Sequence, residues 1–243
     1  MIVTSILLLI CFALVAFLYA SVGHGGASGY LAVMAILGYA QTQAKPDALI
    51  LNIAVSGIAF IHFYRSGYFV RRDFLWLSFF SVPMALLGGL TPLSDHIYHR
   101  LLSAMLLLAA VFIVFKPAES LQIRRIPAFA AAAIGTGIGL LSGLTGIGGG
   151  VILSPLMLLA GWASQKQAAA LSAAFILVNS ISGLTGWLSQ NRTIDENLIF
   201  MLPVVLAGGF AGSYLGANQY RAKALKWLLA LVLFVASVRL FLQ

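Results

Sequence analysis

Ten apolar stretches follow one another along this chain with only short polar or glycine-rich connections between them, and this pattern restricts the fold more than any motif does. They run approximately over 2–21, 27–40, 48–64, 74–93 and 101–115. After a polar connector at 116–125 they resume over 126–141, 147–163, 168–188, 198–216 and 224–242. About 20 apolar residues make a helix that crosses a bilayer core, and nothing here alternates as barrel strands do. Composition agrees, with 61% hydrophobic and only 8% charged residues, where a soluble domain carries roughly 25% charged. The expectation is an all-α polytopic membrane protein with no soluble domain beside it.

The net charge of +8 does not mark a nucleic-acid face, because Lys and Arg lie singly or in small clusters between apolar stretches. They read as topology signals. If all ten segments cross, Arg65, Arg71, Arg72, Lys116, Arg124, Arg125, Lys166, Arg221, Lys223 and Lys226 share one side, and Lys45, Arg100, Arg192 and Arg239 lie opposite. The alternative is eight spans with two re-entrant segments, at 27–40 and 147–163; it divides the same charges almost evenly. The positive-inside rule favours ten crossings, with both termini outside the cytoplasm. Cys11 is the single cysteine, so neither an intramolecular disulfide nor a cysteine metal site is expected. No Lys or Arg precedes Lys45, so residues 1–20 read as a retained helix rather than a signal peptide.

The halves resemble each other. Gly23-His24-Gly25-Gly26 matches Gly146-Ile147-Gly148-Gly149, and each precedes a short apolar segment ending in Gly38-Tyr39 or Gly161-Trp162. Further on, Asn52 matches Asn179, Arg65 matches Arg192, and Pro83 with Gly88-Gly89 matches Pro203 with Gly208-Gly209. The organisation read from this is a first repeat over 1–115, a cytoplasmic connector over 116–125 and a second repeat over 126–243. With an odd number of spans in each, the two are inverted. Paired glycine-interrupted segments at corresponding positions point to a transporter's midplane site.

A glycine run at membrane depth weakens the helix, permits positive φ and leaves backbone N–H groups in need of partners. Where a short helix restarts, those groups and the positive end of its dipole form an anion site without any charged side chain. Gly25–Ser28 and Gly148–Val151 occupy such positions, and inversion would bring them together near the bilayer centre. A small anionic substrate follows. The bland alternative, close helix crossing over small residues, suits Gly208, Gly212 and Gly216 better, since they recur every fourth residue. Asn52 with Ser56, and Ser172 with Asn179 and Ser182, are either donors to an anion or interhelical hydrogen-bonding groups. His24 is a carrier of a coupling proton or a satisfied structural histidine. Gly26-Ala27-Ser28-Gly29 spells the GxSG pattern of intramembrane serine proteases, but no deep histidine on a later span supplies the base.

The stretch Gly143-Leu-Thr-Gly146-Ile-Gly148-Gly149-Gly150, with Pro155 beyond it, and its partner Ser21-Val22-Gly23-His24-Gly25-Gly26 resemble the repeated motif of the TauE/SafE family of sulfite and organosulfonate exporters. The likeness extends over essentially the whole chain. His24 stands where an apolar residue is more usual, and Ala32 where a proline would match Pro155. The resemblance implies a secondary transporter of sulfite, sulfoacetate or a related sulfonate in the bacterial inner membrane. No P-loop occurs, so the driving force would be the membrane potential or a gradient of protons or Na+. The expected substrate-binding residues are Gly23, His24, Gly25, Gly26, Asn52, Gly146, Gly148, Gly149, Gly150 and Asn179. No catalytic residue, metal, cofactor or nucleic-acid partner is expected, and a homodimer is left open. A passive anion channel and a membrane assembly protein that transports nothing are the competing classes.

Overall fold

The computed structural model describes residues 2–114, 123–190, 198–217 and 223–242. Most of the expected connector, together with Lys116, Arg192 and Arg221, lies outside the described residues. Ten helices are described: α1 (Ile2–Ala20), α2 (Ala27–Leu37), α3 (Gln41–Arg65), α4 (Arg71–Leu90), α5 (Asp95–Val114), α6 (Ala128–Thr145), α7 (Gly150–Leu159), α8 (Gln165–Leu188), α9 (Leu198–Ala217) and α10 (Lys223–Phe241). No strand occurs among the described residues. Six of the helices, α3, α4, α5, α6, α8 and α9, are long and apolar enough to cross a membrane.

Each expected segment corresponds to one helix, but α3, α4, α5 and α8 begin earlier than hydropathy indicates, because polar residues form their first turns. At α8 a capping box does this: Ser164 Oγ accepts from Gln167 N at 3.4 Å, and Gln167 Oε1 accepts from Ser164 N at 2.9 Å. The two reciprocal bonds satisfy donors that a helix start otherwise leaves orphaned.

Glycine seams set the main helix pairs. Along α9, side chains at Gly208, Gly212 and Gly216 would collide with the backbone of Ala13, Phe17 and Ser21, so α1 and α9 run in the same direction in close contact. Along α6, Gly135, Gly139 and Gly143 meet Leu77, Ser81 and Ala85 of α4 in the same manner. Small residues let backbones approach where apolar surface alone gives no drive to associate. Other pairs are α3 with α8, α5 with α10, α4 with α8, α3 with α9, α2 with α10 and α5 with α7. Exchanging each helix for the one five places along the chain turns every one of these pairs into another of the set, or into itself.

The short helices run back against their neighbours. After α1 the chain turns at Gly23 and Gly26, both at positive φ. Tyr19 and Ser28 then join their hydroxyls at 2.6 Å, and the Phe12 and Tyr30 rings meet at 5.3 Å. The far end of α2 reaches α10, where the Arg239 guanidinium donates to the Ile36 carbonyl. Likewise α7 starts mid-bundle beside Ile176 and ends near the lead-in to α6, where Arg124 N donates to Gly161 O at 2.8 Å. With 11 and 10 residues, these helices extend only about 16 and 15 Å. Both end on a glycine cap: Gly38 N and Tyr39 N bond Ala35 O and Met34 O, and Gly161 N and Trp162 N bond Leu158 O and Met157 O. This is the doubled bonding of a Schellman motif.

At one end of the bundle Lys166 Nζ donates to Tyr68 Oη at 3.2 Å, beside the turn that carries Arg65, Arg71 and Arg72. Phe79, Phe129, Ile199 and Phe200 are mostly exposed on the flanks, as suits a surface solvated by lipid tails.

Candidate substrate site

Both glycine breaks are buried: every residue from Gly23 to Ala32 and from Thr145 to Pro155 lies inside the bundle. Gly23, Gly26, Gly146, Gly148 and Gly149 have φ between 78° and 98°, a region that costs an L side chain free energy. Gly23 ends α1, with its N–H on Ala20 O and that of His24 on Tyr19 O at 2.8 Å. Gly26 and Gly149 are the residues from which α2 and α7 start.

Asn52, on α3, joins the two breaks. Its Oδ1 accepts from Ala27 N at 3.2 Å, and its Nδ2 donates to Ser180 Oγ at 2.9 Å and to Ile147 O at 3.4 Å. A side chain at Gly25 or Gly148 would collide with this amide, so both glycines are required by the same group. The N-terminus of α2 and the backbone of the second break are thereby held on one carboxamide. Beyond it, helix geometry leaves the N–H groups of Ser28 and Gly29, and of Gly150 and Val151, without intrahelical acceptors. Two dipole ends of the same sign thus lie in the buried centre that Asn52 joins.

Asn179 is arranged differently from its counterpart. Its Nδ2 donates to Phe175 O, one turn back on α8, at 2.8 Å, and its Oδ1 is buried without a partner. Phe175 itself lies against Gly149. His24 is joined to the second half: its Nε2 lies 2.9 Å from Ser154 Oγ on α7, and Ser154 Oγ lies 2.7 Å from Ser172 Oγ on α8. The Tyr19 ring stands 6.1 Å from the imidazole. Ser182 bonds Val82 O at 2.6 Å and Ser56 its own helix at Ile53 O, which is helix packing rather than a ligand face.

Three participants were missed by sequence reasoning: Ser180, Ser154 and the burial of Lys45. Ser180 stands beside Asn179, and its signal is the i, i+4, i+8 face Ser172–Ile176–Ser180. Gly143, quoted above as part of the family motif, packs against Ala85 and Gly89, so its place is in the α4–α6 seam.

The sequence pattern of the sulfite exporter TauE/SafE family matches residues 8–240. The chain belongs to that family. It is also 35% identical over 238 residues to the "Probable membrane transporter protein y4hK" of Sinorhizobium fredii (strain NBRC 101917 / NGR234), covering 96% of either chain. No solved structure matches it. This TauE/SafE protein is a membrane transporter and not an enzyme. The geometry of the GxSG sequence accords with that, since Ser28 Oγ is held by the Tyr19 hydroxyl and His24 by Ser154.

Proposed function

We propose that this protein is a secondary exporter of a small sulfur oxyanion, sulfite or a related sulfonate, across the bacterial inner membrane. The observation that carries the reading is the joint at Asn52, where one amide ties the start of α2 to the second glycine break in a buried centre. Free backbone N–H groups at the starts of α2 and α7 are suited to a compact oxyanion, since donors and dipoles supply the positive potential without a lysine or arginine whose charge would trap it. Gly25, Gly26, Gly148, Gly149 and Gly150 supply backbone, Gly23 and Gly146 end the preceding helices, and Asn179 can donate to the ligand only by releasing its Nδ2 from Phe175 O.

On this reading all ten helices cross, α2 and α7 completing their passage through the glycine segments, and the halves are inverted repeats. The helix pairs that map onto one another under a shift of five support it. So does the gathering of Arg65, Arg71, Arg72, Arg124, Arg125 and Lys166 at one end, which becomes the cytoplasmic face under the positive-inside rule. Transport proceeds by alternating access, the halves rocking about the Asn52 joint, with His24 as the group that carries a coupling proton. Export of one negative charge from a cell with a negative interior is favourable by about 2.3 kcal/mol per 100 mV. The test is sulfite flux into proteoliposomes under an imposed potential, with unlabelled sulfate and sulfonates as competitors. Saturable, competitor-selective flux is expected. Flux that rises without saturation makes the protein a channel, and no flux from folded protein removes sulfite as substrate.

A further inference from the structure

Resting on that transport reading, we propose that Lys45 is a second, transient anion station between the central joint and the end of the bundle where α2, α4 and α10 finish. Hydropathy places Lys45 in a connecting loop, but α3 begins at Gln41, so this lysine lies inside the helix. Residues 44–49 are all buried, and Lys45 is only 5% exposed. Near a helix end a lysine ordinarily extends its four-carbon stem to water, and burying the ammonium costs several kcal/mol in effective desolvation. This one stays inside. Ionisable groups kept in a membrane interior mark the routes of ions and substrates.

Its position on α3 names the route. Lys45, Leu49, Asn52 and Ser56 follow the i, i+4, i+7, i+11 spacing of a single helix face. Lys45 therefore stands about 10 Å along the axis from Asn52, at 1.5 Å per residue. This face runs along the second break. A side chain at Gly146 would lie 3.1 Å from Lys45 Cγ, and one at Gly148 would strike Asn52. Asp47 is fully buried but lies about 200° round the helix from Lys45, so it balances the local charge without entering the Asn52 face. Lys45 and Asp47 each have an interaction of their own in this structure.

Among the described residues the equivalent position on the other flank of the centre carries no lysine or arginine. Under the register that pairs Asn52 with Asn179, Lys45 corresponds to Ser172, a neutral hydroxyl in the Ser172–Ser154–His24 chain. An ammonium is a compact charge with three donors. It draws a dianion more strongly than a monoanion, so Lys45 favours doubly charged oxyanions leaving or entering on its side.

The experiment is sulfite flux in proteoliposomes of the full chain, with sulfate and methanesulfonate as competing dianion and monoanion. Lys45→Met is expected to raise the sulfite KM about tenfold, a change worth roughly 1.4 kcal/mol. It should weaken sulfate inhibition more than methanesulfonate inhibition, while Lys45→Arg keeps the wild-type ratio. A second variant guards against misfolding. With Cys11 replaced by Ser, Lys45→Cys is treated with 2-bromoethylamine, whose bromide the thiolate displaces, restoring a cation through a thioether that sulfite does not cleave. Labelling is expected from the external face only, slowed by sulfate and restoring flux. A wild-type KM and competitor ratio in Lys45→Met, or labelling indifferent to sulfate, overturns the assignment. Absence of saturable sulfite flux from the unsubstituted protein overturns the sulfite-carrier reading and this inference with it.

Discussion

Replacing Asn52 by Ala and, separately, Asn179 by Ala sets two formally equivalent residues against each other. Asn52→Ala removes three hydrogen bonds, to Ala27 N, Ser180 Oγ and Ile147 O. At the average of about 0.6 kcal/mol found for such bonds in membrane bundles, this alone is roughly 2 kcal/mol. The substitution also strands the buried Ala27 N–H at a desolvation cost of about 1 kcal/mol or more, so the loss moves towards roughly 3 kcal/mol. Asn179→Ala removes one bond to its own helix and deletes an oxygen that is already without a partner. Its cost is below about 1 kcal/mol. Equilibrium unfolding in mixed micelles with rising SDS measures both. The difference between the two variants should reach roughly 2 kcal/mol, a factor of about 30 in the equilibrium constant. If Asn179→Ala destabilises as much as Asn52→Ala, the joint is not where the bundle is held, and the reasoning fails.

Asn52→Asp retains an acceptor for Ala27 N but sets an anionic oxygen against the Ile147 carbonyl, so it should unfold as early as Asn52→Ala in the same titration. Gly139→Leu would drive a side chain into Ser81 of α4 and should abolish recovery of folded protein by size-exclusion chromatography. Gly137→Ala, two residues away with nothing within 4 Å of the added carbon, should be neutral or stabilising by up to about 1 kcal/mol in thermal unfolding. His24→Gln preserves a hydrogen-bonding group for Ser154 while removing the titration. Flux of methanesulfonate, whose charge does not change across about pH 5 to 8, should vary with pH in the native protein and become flat in this variant, and an unchanged profile removes His24 as the proton carrier. A bulky residue at Gly149 meets both positive φ and Ile138, so loss of transport there should come with a lowered midpoint of unfolding.

The helix inventory was legible in the sequence because lipid solvation writes itself directly into hydropathy: each apolar stretch became a helix. The ends were less legible. Gln41 to Asp47 and Ser164 to Gln167 are polar, so a hydropathy reading stops short of them, although caps and burial inside the bundle make them helical. Gly208, Gly212 and Gly216 were identifiable as packing residues from their spacing of four. The same spacing at Gly135, Gly139 and Gly143 marks the α4–α6 seam, whose last glycine also falls inside the family motif. The site itself was half legible. Paired glycines marked where the breaks lie, and the positive φ angles follow from them. That Asn52 spans both breaks, while Asn179 bonds only its own helix, depends on side-chain directions across three helices, which no spacing rule encodes.

The mapping of helix pairs onto themselves under a shift of five has a consequence for directionality. If the halves are inverted as proposed, a scaffold packed in this way assigns, by itself, similar free energies to its two open forms and so favours neither. Any bias must come from residues that spoil the equivalence, and at the centre these include His24 against Ile147, Ser28 against Val151, Leu31 against Ser154, Lys45 against Ser172, and the differing bonds of the two asparagines. Reversing the preferred direction in such an architecture would then require exchanging side chains between halves rather than building a new fold.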